Sequence, residues 1–401
     1  MLKRDVYLDN AATTAVAPEV VQEMLPYFET FWGNPSSLYE FGQQAQAAIK
    51  DARERIAAHL GASPREIYFT SCGTESTNWA IKETMFAYQN KGKHFITSSI
   101  EHHATTHSAE WLEKRGFEVT YLGVDKDGLI DPEEFRAALR PDTVMASIIW
   151  GNNEIGTLQP LKELAAIARA NKVLLHADAV QVVGHMPVDV EDLGVDFLSV
   201  SGHKFNAPKG VGLLYIRKGI KTKSFIDGGA QERKRRAGTE NVPYIMGIAK
   251  ALDISIAHLD ERMAHAQKLR DHLIDRVMNE LEHCRLNGHR TQRLPGNANF
   301  SIEFVEGESL LLMLEQRGIM ANSGSACASG SLDPSHVLLA IGLPHEIAHG
   351  SLRLSVDHET TMEDIDYTVE ALKEVVTQLR AMSPLYEDFI AGKKAISAIS
   401  K

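Results

Sequence analysis

The sequence comprises 401 residues, of which 44% are hydrophobic and 24% charged, with a formal net charge of -11 and an isoelectric point near 5.9. This length and composition are ordinary for a globular protein that buries large hydrophobic cores. The acidic balance excludes general affinity for nucleic acid or for an anionic membrane, because both need a basic surface. A small molecule or another protein is therefore the expected partner.

The N-terminal segment MLKRDVYLDNAATT contains basic residues but no apolar run of signal-peptide length, and no run of about eighteen apolar residues occurs elsewhere. The three cysteines, Cys72, Cys284 and Cys327, are too few for a disulfide framework and lack a Cys-x-x-Cys spacing. We therefore expect a cytoplasmic protein in which each cysteine has its own role.

From about residue 67 to residue 214, β-branched apolar runs alternate with helical patterns. The predicted strands are IYFT, HFITSSI, EVTYL, VMASIIW, KVLLHADAV, DFLSVS and GVGLLYI. Strands that alternate with helices predict crossover units and a mainly parallel sheet, which defines an α/β domain. Ligands of such sheets collect at the carboxyl ends of the strands, so the residues that follow each strand are the candidates for a site.

A helical pattern then runs over residues 242–283 and is long enough to leave one domain and enter another. In the rest of the chain, strands and helices do not alternate regularly. This pattern is typical of a smaller α+β domain. We predict a large α/β domain over residues 15–255 and a small α+β domain formed by residues 1–14 together with 256–401.

Three strand ends carry polar groups. The helix that follows IYFT begins at Gly73 and Thr74, where free backbone N–H groups suit a phosphate, although an ordinary helix cap is the simpler explanation of this segment taken alone. Asp178 ends an apolar strand and needs a cation, which a structural Lys or Arg could also supply. Lys204 follows DFLSVS, and His102 follows FITSSI.

Taken together, these groups indicate a site for pyridoxal phosphate, because its phosphate, pyridinium and aldehyde are the three parts by which a protein holds it. A helix start, a strand-end Asp and a strand-end Lys are their complements. Lys204 is then the amine that binds the aldehyde, and Asp178 keeps the ring nitrogen protonated. We favour His102 stacking over the ring; for an isolated histidine, ordinary packing is the alternative.

A series of motifs supports a closer assignment. In chain order they are YLDNAATT, GNPSSLYEFG, FTSCGTES, EHHA, GNNEIGT, HADAVQ, SGHKFNAPKGVG, RRAGTEN, SGSACASGSLDPSHV and HGSLRLS. Between Tyr7 and Leu385 the chain resembles the NifS/IscS group of cysteine desulfurases, in the class V aminotransferase branch of the fold-type I pyridoxal phosphate enzymes. FTSCGTES and RRAGTEN are more similar to the nitrogen-fixation type, NifS.

The resemblance implies a mainly parallel seven-stranded sheet in the large domain and a smaller α+β domain that carries the catalytic cysteine. It implies conversion of L-cysteine to L-alanine, with the sulfur left on Cys327 as a persulfide for iron-sulfur cluster assembly, in a nitrogenase-related pathway. Lys204 moves the α-proton in this reaction. The implied partners are a second copy of the chain and an iron-sulfur scaffold protein that accepts the sulfur.

The resemblance also assigns site residues, with Cys327, Lys204 and His102 as the catalytic group and no metal ligand. The implied cofactor-binding residues are Gly73, Thr74, His102, Asn153, Asp178, Gln181, Ser201, Gly202, His203, Lys204 and Thr239. Thr239 resembles the phosphate ligand that the other subunit of a dimer supplies, and Gln181 the partner of the ring hydroxyl. Asn153 and Arg353 match the residues that hold the substrate carboxylate.

Cys327 lies in NSGSACASGS, a stretch of small residues that predicts an exposed mobile loop. A thiol there can reach the substrate sulfur and then an acceptor. Cys72 and Cys284 are predicted to be small packed residues, with Cys284 at the end of a long helix.

Other functions remain open at the level of sequence. Residues 345–349 spell His-Glu-x-x-His, the zinc-protease signature, but Pro344 and Gly350 leave only about a turn and a half of helix. A selenocysteine lyase or an aminotransferase would share the fold and cofactor. A non-enzymatic binding scaffold would not need both Lys204 and Cys327.

Overall fold

The computed structural model describes residues 5–323 and 334–392. Its strands are β1 Val6–Tyr7, β2 Ile67–Thr70, β3 His94–Ser98, β4 Glu118–Leu122, β5 Thr143–Ile149, β6 Leu174–Asp178, β7 Phe197–Ser201, β8 Gly212–Ile216, β9 Cys284–Asn287, β10 Asn297–Ile302, β11 Ile319–Met320 and β12 Ser351–Ser355. Its α-helices are α1 Pro18–Met24, α2 Pro26–Glu29, α3 Glu40–His59, α4 Gly73–Asn78, α5 Thr84–Tyr88, α6 His103–Glu113, α7 Pro132–Ala138, α8 Leu161–Ala170, α9 Val190–Leu193, α10 Gln231–Lys234, α11 Val242–Ala257, α12 Leu259–Glu280, α13 Gly307–Glu315, α14 His336–Ala340, α15 His345–Ala348, α16 Met362–Ala381 and α17 Pro384–Ile390.

The main sheet has seven strands in the order β2-β8-β7-β6-β5-β3-β4. The pairs from β7 to β4 are parallel, whereas β8 runs antiparallel between β2 and β7. Every residue of β5 and β7 is buried, as expected for strands covered by helices on both faces. The predicted mainly parallel seven-stranded sheet is confirmed.

A second region combines an antiparallel sheet, β12-β10-β9, with the short parallel pair β1-β11. The largest hydrophobic cluster takes its members from Val20 to Leu252 and adds Leu294. Another cluster joins Val6 and Leu8 to side chains of residues 266–376. The division of the chain at residues 15 and 255 stays a prediction, and these two separate clusters support it.

Two details of the predicted helical pattern over residues 242–283 were wrong. The pattern is broken at His258, whose backbone leaves the helical region, and α11 and α12 meet there at 72°. Cys284 does not end a helix but begins β9, because it pairs with Ile302 in the antiparallel ladder. Ladder hydrogen bonds to a distant strand outweigh the local pattern at this point.

Among the described residues, no single helix has the length and apolar composition needed to cross a membrane. The bent pair of α11 and α12 meets those criteria only when the two helices are taken together.

The sheet brings the candidate residues to one edge. Strands β3, β5, β6 and β7 run in the same direction, and β2 shares it because two antiparallel pairings relate it to β7. Their carboxyl ends therefore meet, which places the segments after Thr70, Ser98, Ile149, Asp178 and Ser201 around one space.

Candidate active site

A cavity lies at this carboxyl edge of the sheet. It is lined by Ala11, Ala12, Cys72, Gly73, Thr74, His102, Ala104, Ile149, Asn153, Asp178, Val180, Gln181, Ser201, His203, Lys204 and Arg353. The lining includes the predicted cofactor and substrate residues except Gly202 and Thr239. Thr239 is exposed, and Gly202 is buried in the turn that leads to Lys204. Cys327 lies outside the described residues.

The start of α4 forms one end of the cavity and could hold a phosphate. A Cβ atom added to Gly73 would lie 2.6 Å from Cγ2 of Val180 and 3.3 Å from Cβ of Ser201, so a larger residue would close the cradle. Cys72, predicted to be a packed residue, is half-buried and caps α4, since its Sγ accepts from the Glu75 backbone N–H at 3.4 Å. The free N–H groups of this turn suit an anion.

Glu75 follows Gly73 and Thr74 in α4, and its carboxylate would repel a phosphate bound there unless its charge were compensated. Arg236 donates to Glu75 Oε1 at 2.8 Å, and Ser71 also bonds this carboxylate. Burial opposes ionisation of Glu75, but the hydrogen bonds from Arg236 and Ser71 hold its pKa below the usual value. The electrostatics of this end are therefore compatible with a bound anion.

Asp178 is buried at the end of β6. Its Oδ1 accepts the Val180 backbone N–H at 3.1 Å. Burial raises the pKa of Asp178 to about 6, with the Val180 hydrogen bond and the charge of Lys204 acting in the opposite direction. A buried carboxylate of this kind gains most from a cation placed against it, and the protonated ring nitrogen of pyridoxal phosphate fits that requirement.

His102 is the N-cap of α6 and is held by its own helix. Its Nδ1 accepts the Ala104 backbone N–H at 3.1 Å, so the neutral ring carries its proton on Nε2. Burial, followed by the positive charge of Lys204, lowers the pKa of His102 to about 4. A neutral, fixed, flat ring on the cavity wall is suited to stacking on a cofactor ring.

Lys204 lies in the turn after β7, and its Nζ donates to the carbonyl oxygens of Ala11 and Ala12 at 2.7 and 2.8 Å. The adjacent His203 ring lies 3.1 Å from Thr13 Oγ1, and its pKa falls to about 4 through burial and the nearby Lys204 charge. Sequence reasoning missed the two alanines as parts of the site. The motif YLDNAATT contains both alanines, but a contact made by a backbone carbonyl leaves no side-chain signal in the sequence.

Gln181 and Arg353 complete the cavity. The Gln181 side chain donates to Ala11 O at 2.9 Å, and Arg353 donates to Asn153 O at 3.0 Å and to Asp9 Oδ1 at 2.8 Å. Arg353 is 1% exposed, and its Nε has no hydrogen-bond partner within residues 5–323 and 334–392. A buried N–H without a partner is costly, so the guanidinium retains capacity for a carboxylate ligand.

The zinc-protease alternative lacks a suitable helix. Helix α15 covers only His345–Ala348, so His349 lies beyond its end. In the described part of the chain, no group of three or more His, Cys, Asp or Glu side chains is arranged to hold a metal ion.

The fold and the cavity define a pyridoxal phosphate enzyme of fold type I. Residues 6–368 match the model of the family described as aminotransferase class-V, and the chain belongs to this family. It is 57% identical to the cysteine desulfurase IscS of Methanosarcina thermophila over 380 residues, which cover 95% of this chain and 94% of the relative. It is 50% identical to the cysteine desulfurase IscS of Dictyoglomus turgidum over 394 residues, covering 98% of this chain and all of that protein.

Solved structures agree with these relatives. One described as a NifS-like protein superposes with a TM-score of 0.88 at 38% identity, covering 94% of this chain and 100% of that one. The NifS-like protein of Rickettsia africae gives a TM-score of 0.84 at 30% identity, covering 93% and 100%. The predicted family, fold class and cofactor are confirmed, whereas the residue roles and the nitrogen-fixation link stay predictions.

We expect Asp178→Asn to remove a pH dependence from the cofactor-free protein. The pKa of Asp178 is 3.8 in an unfolded chain and about 6 when buried, so the folded wild type loses stability as the pH rises through this window. The loss is on the order of 3 kcal/mol, and it is absent at about pH 3, where both states are protonated.

Urea unfolding of the wild type and Asp178→Asn from about pH 4 to pH 7 measures this difference. The variant should gain stability relative to the wild type as the pH rises, and it should bind the cofactor more weakly. Parallel pH profiles for the two proteins would contradict the role of burial at Asp178.

Proposed function

We propose that this protein is a pyridoxal phosphate-dependent cysteine desulfurase. It converts L-cysteine to L-alanine and transfers the sulfur to Cys327 as a persulfide, which supplies sulfur for iron-sulfur cluster assembly. The observation that carries this proposal is the cavity itself, where Lys204, buried Asp178, neutral His102 and the guanidinium of Arg353 line one space. The cysteine desulfurase relatives, which match nearly the whole chain, support the choice of reaction.

The residues that would hold the cofactor divide among its chemical groups. The start of α4 at Gly73 and Thr74, with Ser201 and His203, would bind the phosphate. Asp178 would pair with the ring nitrogen. Gln181 would contact the ring hydroxyl, His102 would lie on the ring face, and Lys204 would bind the aldehyde. When bound, pyridoxal phosphate supplies an electron sink for the bonds at the substrate Cα.

The protein residues then perform the remaining steps. Arg353 and Asn153 hold the substrate carboxylate, and this contact orients the amino acid in the cavity. Lys204 Nζ, already placed by two backbone carbonyls, takes the proton from Cα and returns it later. His102 remains neutral at physiological pH, so its Nε2–H can donate a hydrogen bond in the cavity without bringing a net charge there.

Sulfur transfer requires a thiol that can reach the substrate sulfur, and we propose Cys327 for this role. The thiol that lines the cavity, Cys72, instead caps α4 by accepting the Glu75 backbone N–H. The Cys327 thiolate attacks the substrate sulfur, so that an S–S bond forms and the Cβ–S bond breaks. The electron pair of the broken bond is protonated, and alanine leaves. The persulfide on Cys327 is then passed to an acceptor, for which we propose an iron-sulfur scaffold protein.

We also propose that the enzyme is a homodimer in which the partner subunit supplies Thr239 to the phosphate end. In support, this residue is exposed and lies outside its own subunit's cavity lining. Trp32, Leu38 and Tyr39 are 67%, 95% and 61% exposed, which suits an interface that a single chain leaves uncovered. A persulfide enzyme also needs a reducing compartment, for which the cytoplasm is the proposed location.

The test is an absorbance spectrum of the purified protein before and after addition of L-cysteine, with alanine, sulfide and 2-oxo acid quantified in the presence of a thiol reductant. We expect a cofactor band that shifts with L-cysteine, and equal amounts of alanine and sulfide. Formation of a 2-oxo acid would instead indicate an aminotransferase. Stoichiometric zinc without the cofactor band would favour a zinc protease. Turnover of L-selenocysteine that is faster than turnover of L-cysteine would favour a selenocysteine lyase.

A further inference from the structure

One carboxylate, that of Asp9, connects two parts of the candidate site. Its Oδ1 accepts from Arg353 Nη2 at 2.8 Å, and its Oδ2 accepts from Asn322 Nδ2 at 3.1 Å. Asn322 also exchanges backbone hydrogen bonds with Arg353, at 2.6 and 3.3 Å. Asp9, Arg353 and Asn322 therefore form a closed triangle of contacts.

Arg353 needs a fixed counter-charge because it is buried in the middle of β12. Its exposure is 1%, and the Asp9 side chain is 16% exposed in their ion pair. A guanidinium in such surroundings is costly unless a carboxylate pairs with it. Arg353 donates from Nη2 to Asp9 and from Nη1 to the Asn153 carbonyl. These two hydrogen bonds, on different nitrogens, set the orientation of the planar guanidinium.

The other nearby carboxylate, Glu154, does not have this role. Its Oε2 accepts from Ser335 Oγ, and no hydrogen bond joins it to Arg353 within the described residues. Burial raises the pKa of Glu154 to about 7, with the Ser335 hydrogen bond and the Arg353 charge opposing the shift. Asp9 is thus the carboxylate that directly contacts the arginine.

We propose that Asp9 is a positioning residue for the substrate carboxylate. It fixes the Arg353 guanidinium for that carboxylate. Through Asn322 it also ties the arginine to the chain that leads toward Cys327. The role of Arg353 in this inference rests on the proposed function. Asp9 itself acts through Arg353 and does not touch the substrate.

The experiment compares two probes that differ only in a carboxylate, L-alanine and ethylamine. Each is titrated into the pyridoxal phosphate-loaded wild type and the Asp9→Ala variant, and the absorbance change is followed. Loss of a charge-assisted hydrogen bond should weaken L-alanine binding by roughly 10-fold or more, whereas ethylamine binding should change less than about twofold. Asp5→Ala, at an exposed position on the same segment, is the matched control and should bind both probes as the wild type does.

A second set of variants separates positioning from general damage. Asp9→Asn can still accept from Arg353 but places its amide nitrogen against that of Asn322, so it should also weaken L-alanine binding. The double variant Asp9→Asn with Asn322→Asp restores the donor and acceptor pair, and L-alanine affinity should return to within about threefold of the wild type. In turnover, Asp9→Asn should raise KM for L-cysteine and leave kcat within about threefold.

Unchanged L-alanine binding in Asp9→Ala, or in Asp9→Asn if the alanine variant does not fold, would overturn the proposal. An equal loss for L-alanine and ethylamine would do so as well, since it would indicate a structural defect only. The proposed function fails separately if the wild type yields no alanine from L-cysteine. The comparison of the two probes still reports on Asp9 in that case.

Discussion

Lys204→Ala should lose the absorbance band of the bound cofactor and lower alanine formation from L-cysteine by roughly 10⁴-fold or more, since both the covalent link to the aldehyde and the proton-transferring amine are removed. The amine is placed by the Ala11 and Ala12 carbonyls, and no other lysine among the described residues lines the cavity. Absorbance spectra and alanine assays of the purified variant measure both effects.

Lys209→Ala provides the matched control for this prediction. Lys209 is exposed in the same loop, five residues further along the chain, and does not line the cavity. Its removal should leave spectrum and activity within about twofold of the wild type, as for most surface substitutions. Substantial activity in Lys204→Ala would refute the assignment of this residue.

Cys327→Ala should abolish sulfide release, by about 10³-fold or more, while the cofactor band and its response to L-cysteine remain. The variant removes the nucleophile that accepts the sulfur but leaves every described residue of the cavity in place. A variant that keeps the cofactor band and still responds to L-cysteine, but releases no sulfide, would show that Cys327 acts in sulfur transfer. A residue needed for folding or for cofactor retention would lose the band as well. Sulfide assays and spectral titrations on the same sample measure it.

Cys284→Ala is the control for the loss of a thiol. Cys284 is 8% exposed in β9, and burial raises the pKa of its thiol to about 12, so it is not a nucleophile at physiological pH. This variant should retain full sulfur transfer. Full activity in Cys327→Ala would show that another group accepts the sulfur.

Much of the cavity could be predicted because its chemistry lies at strand ends. Parallel strands bring their carboxyl ends together, so the amino-acid sequence alone predicts that Asp178, Lys204 and His102 meet. The patterns that identified the strands were strong, since β5, β6 and β7 are rich in apolar residues and nearly fully buried. Local sequence was therefore sufficient to predict the elements whose structure depends on the burial of apolar side chains.

The remaining features depend on contacts between distant parts of the chain. Asp9 and Arg353 are 344 positions apart, and the pattern around Asp9 gives no sign of its ionic partner. The break at His258 and the pairing of Cys284 with Ile302 depend on which surfaces the neighbouring elements cover. These features could not be derived from propensity alone.

The N-terminal segment is tied to regions that are translated much later. Val6 pairs with Ile319, Asn10 donates to Ser355 O at 2.9 Å, and Thr14 bonds the His203 carbonyl. The carbonyls that hold Lys204 therefore reach their final positions only after the ribosome has added residues near 355. Contacts of such long sequence separation form slowly. Coenzyme capture should thus be a late event that follows the synthesis of the strand containing Ser355.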